Sequence, residues 1–283
     1  MDDQLPRNGP DRRQPGQASR SPAGHWSTIT VAGPACEILS PQNPVPGRAV
    51  IYLHDLQGRG LHETPGLRGL LESARLPVIA PRSARAWWID RLVSGFDPVI
   101  TPERFVVDRV RGELASRCGA RPPCLAVVGT GMGGQGALRL AYRHPSLFPI
   151  VAAIAPAIDF HLAMREAADR ADGELFDTLW QVYGDVERAR QDTAILHVHP
   201  LNWPRHQFFS SGPDDVHWHD GASRLHEKLV ALGIPHVALL APRAGGASPA
   251  THACAAAEAW AFVQAAFDHE ARRLPEASRS ADG

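Results

Sequence analysis

The chain has 283 residues, 44% hydrophobic and 21% charged, with a formal net charge of −1. These values suit a globular protein with a substantial core, and the near-neutral balance excludes the basic face that a nucleic-acid partner needs. No apolar run approaches the roughly 20 residues of a membrane span, and the polar opening MDDQLPRNGPDRRQPGQASRSPAG has no signal-peptide core. The sequence therefore reads as a cytoplasmic protein with no membrane partner.

Residues 1–24 are rich in Pro, Gly, Arg and Asp and lack apolar periodicity, which predicts a disordered tail. Residues 26–39 suit one or two antiparallel edge strands. RAVIYLH (48–54) is a continuous apolar run, as in a strand buried on both faces. A short helix over 63–75 and a strand over 77–81 follow. The spacing predicts a helix over 102–117, with Pro102 suited to its first turn. Then come a strand (124–129), a helix (133–144) stopped by Pro145, and a strand (151–156). Residues 157–205 break the alternation and predict a helical insertion over the carboxyl edge of the sheet, where ligands bind in open sheets. A strand (206–211), a helix (219–232), a strand (236–241) and a helix (253–270) complete the pattern, and 273–283 reads as a flexible tail. Alternation of this kind predicts an α/β domain over 25–272: a doubly wound, mostly parallel sheet with helices on both faces. Cys36, Cys118, Cys124 and Cys254 form no CxxC pair and read as free thiols.

The stretch GTGMGGQGAL (129–138) lies where a strand passes into a helix. Small residues on both sides of Gly131 allow a sharp strand-to-helix turn, a nucleophile elbow, in which the apex residue is exposed above the sheet and the next N–H, that of Met132, faces the site. A phosphate-binding loop is the rival, but there is no GK[ST] and the following strand, VAAIAP, ends without an acidic residue.

With AVIYLHDLQGRG (49–60), FFSSGPDDVHWHDG (208–221) and RAGGASP (243–249), this elbow resembles the "putative esterase" branch of the α/β-hydrolases, the group of esterase D and the S-formylglutathione hydrolases. The likeness spans about 45–270 and implies the α/β-hydrolase fold, action on a small-molecule ester, thioester or carboxylic acid, and no cofactor. It also implies a serine–histidine–acid triad. That family's elbow reads G-x-S-M-G-G-x-G-A-L, so the nucleophile position falls on Gly131, which has no side chain. The acid falls on Asp215, with Asp214 second. The family's G-G-H-S pattern reads Gly245-Gly246-Ala247-Ser248, so the base position falls on Ala247, and His252 is a possible displaced base. The family's His-Gly in the oxyanion loop reads His54-Asp55, with the N–H near Leu56 as the second oxyanion donor beside Met132.

Other groups read less specifically. Thr130, Ser83, Ser210, Ser211 and Ser248 suit turn or capping roles. His197 and His199 have the spacing of a metal pair, but His199 starts a loop and VHWHDG (216–221) resembles a helix entry, so no metal is expected. Trp87 and Trp88 suit an aromatic wall at the cleft mouth or the core, and Asp159, Phe160 and His161 a roof. The expected protein is a pseudo-esterase that keeps a ligand pocket, with an active hydrolase using another nucleophile and base as the alternative. The sequence sets no oligomeric state and no individual substrate.

Overall fold

The computed structural model describes residues 24–58, 60, 61, 65–166, 173–213, 215, 218–241 and 249–281, with backbone alone at 65, 66, 166, 173–176, 249–253 and 274–281. Eight strands form one sheet: β1 (Gly24–Thr30), β2 (Ala35–Pro41), β3 (Ala49–Leu53), β4 (Val78–Pro81), β5 (Leu125–Thr130), β6 (Ile150–Ile154), β7 (His206–Ser210) and β8 (Val237–Leu239), in the order β1-β2-β4-β3-β5-β6-β7-β8. β1 and β2 are antiparallel and start the sheet at one edge; all pairs from β3 and β4 through β8 are parallel. The fold is thus the expected mostly parallel α/β-hydrolase sheet.

Parallel strands need helical crossovers, which bury both sheet faces. Every residue of β3, β4 and β6 is buried. Alternate side chains feed two cores. Ile51, Leu53, Val127, Val151 and Phe209 pack under α4 (Met132–Arg143) and the helices around it. Val50, Val128, Ile154 and Phe208 pack under α1 (Pro65–Ala74) and the last helix, α9 (Pro249–Ala281). On α9 the residues Ala256, Ala259, Trp260, Val263 and Phe267 recur at helical spacing and are all buried. α9 continues beyond 272, to Ala281, through residues whose composition reads as a flexible tail.

Pro102 does open a helix. Thr101 caps it by accepting the Arg104 N–H (3.2 Å), and α2 (Pro102–Arg104), a π-helical stretch (Phe105–Val110) and α3 (Arg111–Cys118) run on continuously. Between β6 and β7 lie α5 (Phe160–Glu166), α6 (Gly173–Tyr183), α7 (Val186–Gln191) and a 3-10 turn (Ala194–His197). α8 (His219–Ala231) joins β7 to β8. Among the described residues, no helix is long and apolar enough to cross a membrane.

Candidate functional site

The turn after β5 is as sharp as the glycine spacing predicts. Gly131 sits at φ 55°, ψ −117°, and α4 begins at Met132. The apex backbone is fully engaged: its N–H donates to the Ile154 carbonyl (2.9 Å), and its carbonyl accepts from the N–H groups of Gln135 and Ala157 (both 3.0 Å). The flanking glycines are steric necessities, because a Cβ on Gly129 would strike the Gly133 carbonyl and one on Gly133 the Leu53 carbonyl. Gly131 differs. Among the described residues outside its chain neighbours, a Cβ there would meet only the Cβ of Asp55, at 3.5 Å, which is ordinary contact. The apex thus has the strained conformation and the open space of a turn built to display a side chain, and carries none.

The loop after β3 faces this apex. Its first residue, His54, is 5% exposed, and burial lowers its pKa below the ordinary value. The neutral ring fits its contacts: Nδ1–H donates to the Asp55 carbonyl (2.7 Å) and Nε2 accepts the Ser83 N–H (3.0 Å). Three further bonds pin the loop. Buried Glu37 accepts the Leu61 N–H (2.9 Å), Arg82 donates to the Gly58 carbonyl (3.3 Å) and Arg85 to the Leu56 carbonyl (3.3 Å). His54 is therefore a brace, with neither ring nitrogen available as a base.

Of the two places open to Trp87 and Trp88, an aromatic wall at the cleft mouth or the core, the structure shows the core for both, at 1% and 0% exposed, which corrects their reading as pocket residues. Both take positive φ (54° and 56°), a rare conformation for bulky residues, and it turns the indoles inward. Trp88 packs on Gly136 of α4, where an added Cβ would lie 2.6 Å from its Cβ, and meets the His54 ring edge-on at 5.2 Å. It wedges the elbow helix against the loop after β3. Trp87 packs on Phe160 (4.9 Å), and Phe160 on Tyr183 (5.2 Å), so Phe160 too belongs to the core rather than a roof. Asp159 is buried and ion-paired with Arg224.

The other predicted site residues are partly placed. Met132 is buried and first in α4, and Leu56 packs at the margin of the core. Asp215 follows β7 in a turn whose carbonyl accepts the N–H groups of Trp218 and His219 (both 3.0 Å), opening α8. Ala247, Asp214 and the side chain of His252 lie outside the described residues, with the His252 backbone in the first turn of α9. Ser83, Ser210 and Ser211 are 0%, 1% and 2% exposed, and the Thr130 hydroxyl lies 3.1 Å from that of Tyr52.

A cavity of about 480 Å³ opens between the loop after β3 (Leu56, Gln57, Gly58), the loop after β4 (Ser83, Ala84, Arg85) and α6 (Asp177, Gln181, Val182); no residue of the elbow lines it. That volume is within the range of small-molecule sites.

A buried ion network that sequence reasoning missed ties α4 to the insertion. Arg139, 1% exposed, pairs with Glu103 and with Asp192 (2.6 Å). Glu103 also accepts from His144 (2.8 Å) and Arg143 (3.0 Å). Burial alone would raise the Glu103 pKa, but the His144 hydrogen bond and the Arg139 and Arg143 charges outweigh it and hold it at about 2. The available signal was an arginine inside the apolar run GALRLAY (136–142).

His197 ends the 3-10 turn, 3.6 Å from Asp192, and His199 turns back on the Leu201 N–H. Among the described residues, His206, His269 and Glu270 bring three potential ligand atoms within 4.8 Å of one another. The Glu270 oxygens, however, already accept from Arg205, His206 and Arg273, so two guanidinium charges stand where a cation would bind. The cluster anchors α9 to β7.

Comparison with solved structures agrees with the fold. MPT51 (FbpC1) of Mycobacterium tuberculosis superposes with a TM-score of 0.66 at 16% identity over 86% of this chain and 98% of that one. An S-formylglutathione hydrolase from Agrobacterium tumefaciens gives 0.65 at 15% identity over 87% and 97%. FphF, a fluorophosphonate-binding serine hydrolase of Staphylococcus aureus, gives 0.66 at 12% identity over 85% and 98%. No curated protein matches the sequence. The family model described as "Putative esterase" matches residues 101–266, more than half of the chain and inclusive of the elbow, α4 and the insertion. The chain belongs to this esterase family of the α/β-hydrolase fold.

Proposed function

We propose that this chain is an esterase-fold protein that no longer performs acyl-serine chemistry and acts by binding a small molecule in the cavity between the loops after β3 and β4 and α6. The observation that carries the reading is Gly131: the apex has the backbone geometry that displays a nucleophile, with no atom to attack from. The resemblance also places alanine, Ala247, where the base belongs. A serine hydrolase needs both an attacking Oγ and a base to take its proton. Without them, an oxyanion hole and binding supply only about 10³–10⁴ over water. Ser210 and Ser211 are 1% and 2% exposed, which counts against either of them as a relocated nucleophile. The test is turnover of short-chain p-nitrophenyl esters and thioesters. The native protein is expected to match a heat-inactivated control, and saturable turnover with a defined KM would contradict the reading.

A further inference from the structure

We propose that His226 and His236 form a binding site for a divalent transition metal ion, one that ties α8 to the entry of β8. The inference goes beyond the proposed function and does not depend on it. His226 Nδ1 and His236 Nε2 lie 2.8 Å apart. A metal–imidazole bond of about 2.0–2.1 Å puts neighbouring ligand nitrogens about 2.9 Å apart at a right angle and about 3.4 Å apart at a tetrahedral one. The pair therefore already stands close to the separation of two right-angle positions. That is the arrangement of octahedral or tetragonal ions such as Ni²⁺ and Cu²⁺, for which imidazole is a suitable ligand.

The chain holds both rings in place. α8 ends in a Schellman motif: Gly233, at φ 65°, donates its N–H to the Val230 carbonyl (3.0 Å), and the Ile234 N–H donates to the Leu229 carbonyl (2.9 Å). The turn sends the chain back beside the helix, where the Gln207 amide donates to the Pro235 carbonyl (2.9 Å) and Val237 pairs with Phe208. His236 thus lies against His226, with ring centroids 5.0 Å apart, and stacks on Phe209 at 5.8 Å with 3° between the planes. Its Nδ1–H donates to the Ile234 carbonyl (2.8 Å), which leaves a lone pair on Nε2. A carbonyl behind the second ring nitrogen is the support that metal-bound histidines ordinarily have. When the His226 proton moves from Nδ1 to Nε2, two lone pairs face each other, and a metal ion takes the place of the proton between them. Both rings stay neutral and no proton is released. Nearby cations are engaged elsewhere: Arg224 pairs with Asp159, and Lys228 donates to the Ile195 carbonyl (2.6 Å). In this the pair differs from the Glu270 cluster, which guanidinium groups already fill. Both histidines are half-buried. Among the described residues, no third His, Cys, Asp or Glu joins them as a ligand, so water completes the coordination shell.

The test is calorimetric titration of the full-length protein with Ni²⁺, with the melting temperature measured alongside, for the native chain, His226→Asn and His236→Gln. The Asn amide can donate from where Nδ1 stands, and the Gln amide can accept where Nε2 stands, so each variant can keep the hydrogen bond while losing the chelate. The native protein is expected to bind Ni²⁺ saturably and to melt at a higher temperature in its presence; each variant should bind roughly tenfold more weakly or worse and lose that rise. No saturable Ni²⁺ binding by the native chain would overturn the proposal. So would an unchanged affinity in either variant that keeps the native circular dichroism spectrum, because the ion would then be held elsewhere.

Discussion

Gly131 holds φ 55° and ψ −117° without steric cost because it lacks a Cβ. A side chain there pays for that conformation with roughly 1–3 kcal/mol, which a catalyst tolerates because the reaction requires it. Gly131→Ser should therefore lower stability by about that amount, since the space itself accepts a Cβ 3.5 Å from Asp55. Urea denaturation checks the loss, and a stabilised variant would refute the strain argument. On the proposed reading, in which Ala247 stands at the base position, the single variant should not gain ester turnover. At this scale the elbow was legible, since its steric demands fall on local sequence spacing. The approach of Asp55 to Gly131 was not, because it joins loops far apart in the chain. Wall and core stayed open for Trp87 and Trp88 for a related reason: RSARAWWID (82–90) has no periodicity, and positive φ at two tryptophans cannot be read from residue type.

The element that carries the site is α4, buried from Met132 to Tyr142. A helix enclosed on all sides usually reads as apolar, yet this one carries Arg139, whose charge is answered by Glu103 at the start of α2 and by Asp192 after α7. Sequence reasoning places charges on solvated faces, so the helix was legible and its network was not. Replacing Arg139 with Met leaves two buried carboxylates without their main partner and should cost about 3–5 kcal/mol, measurable as a fall in Tm and in the urea midpoint. The network also sets an acid limit. The Glu103 carboxyl is held at about 2 in the fold, against an ordinary 4.5. Its stabilisation is fully present above about pH 4.5 and is lost as pH falls from there toward 2, because the unfolded chain takes up the proton first. Glu103→Gln should flatten stability against pH across that window while lowering stability at pH 7; an unchanged slope would remove Glu103 from the network's energetics.

Across the whole molecule, strand alternation and the continuous apolar runs of β3, β5 and β6 were enough to predict a doubly wound sheet, because burial on both faces writes itself directly into composition. The boundaries moved by a few residues where hydrogen bonding rather than hydropathy ends an element: β8 is only Val237–Leu239. The sheet, the family match and the braced loop after β3 describe an esterase scaffold. The apex of its elbow, Gly131, carries no side chain, and the proposed loss of acyl-serine chemistry rests on it. The measurement that tests this most directly is the intact mass of the native protein after incubation with a fluorophosphonate, which reacts covalently with an activated serine. The expected spectrum shows the unmodified mass alone. A stoichiometric adduct, localised to any serine, would contradict the account and identify the nucleophile that Gly131 does not supply.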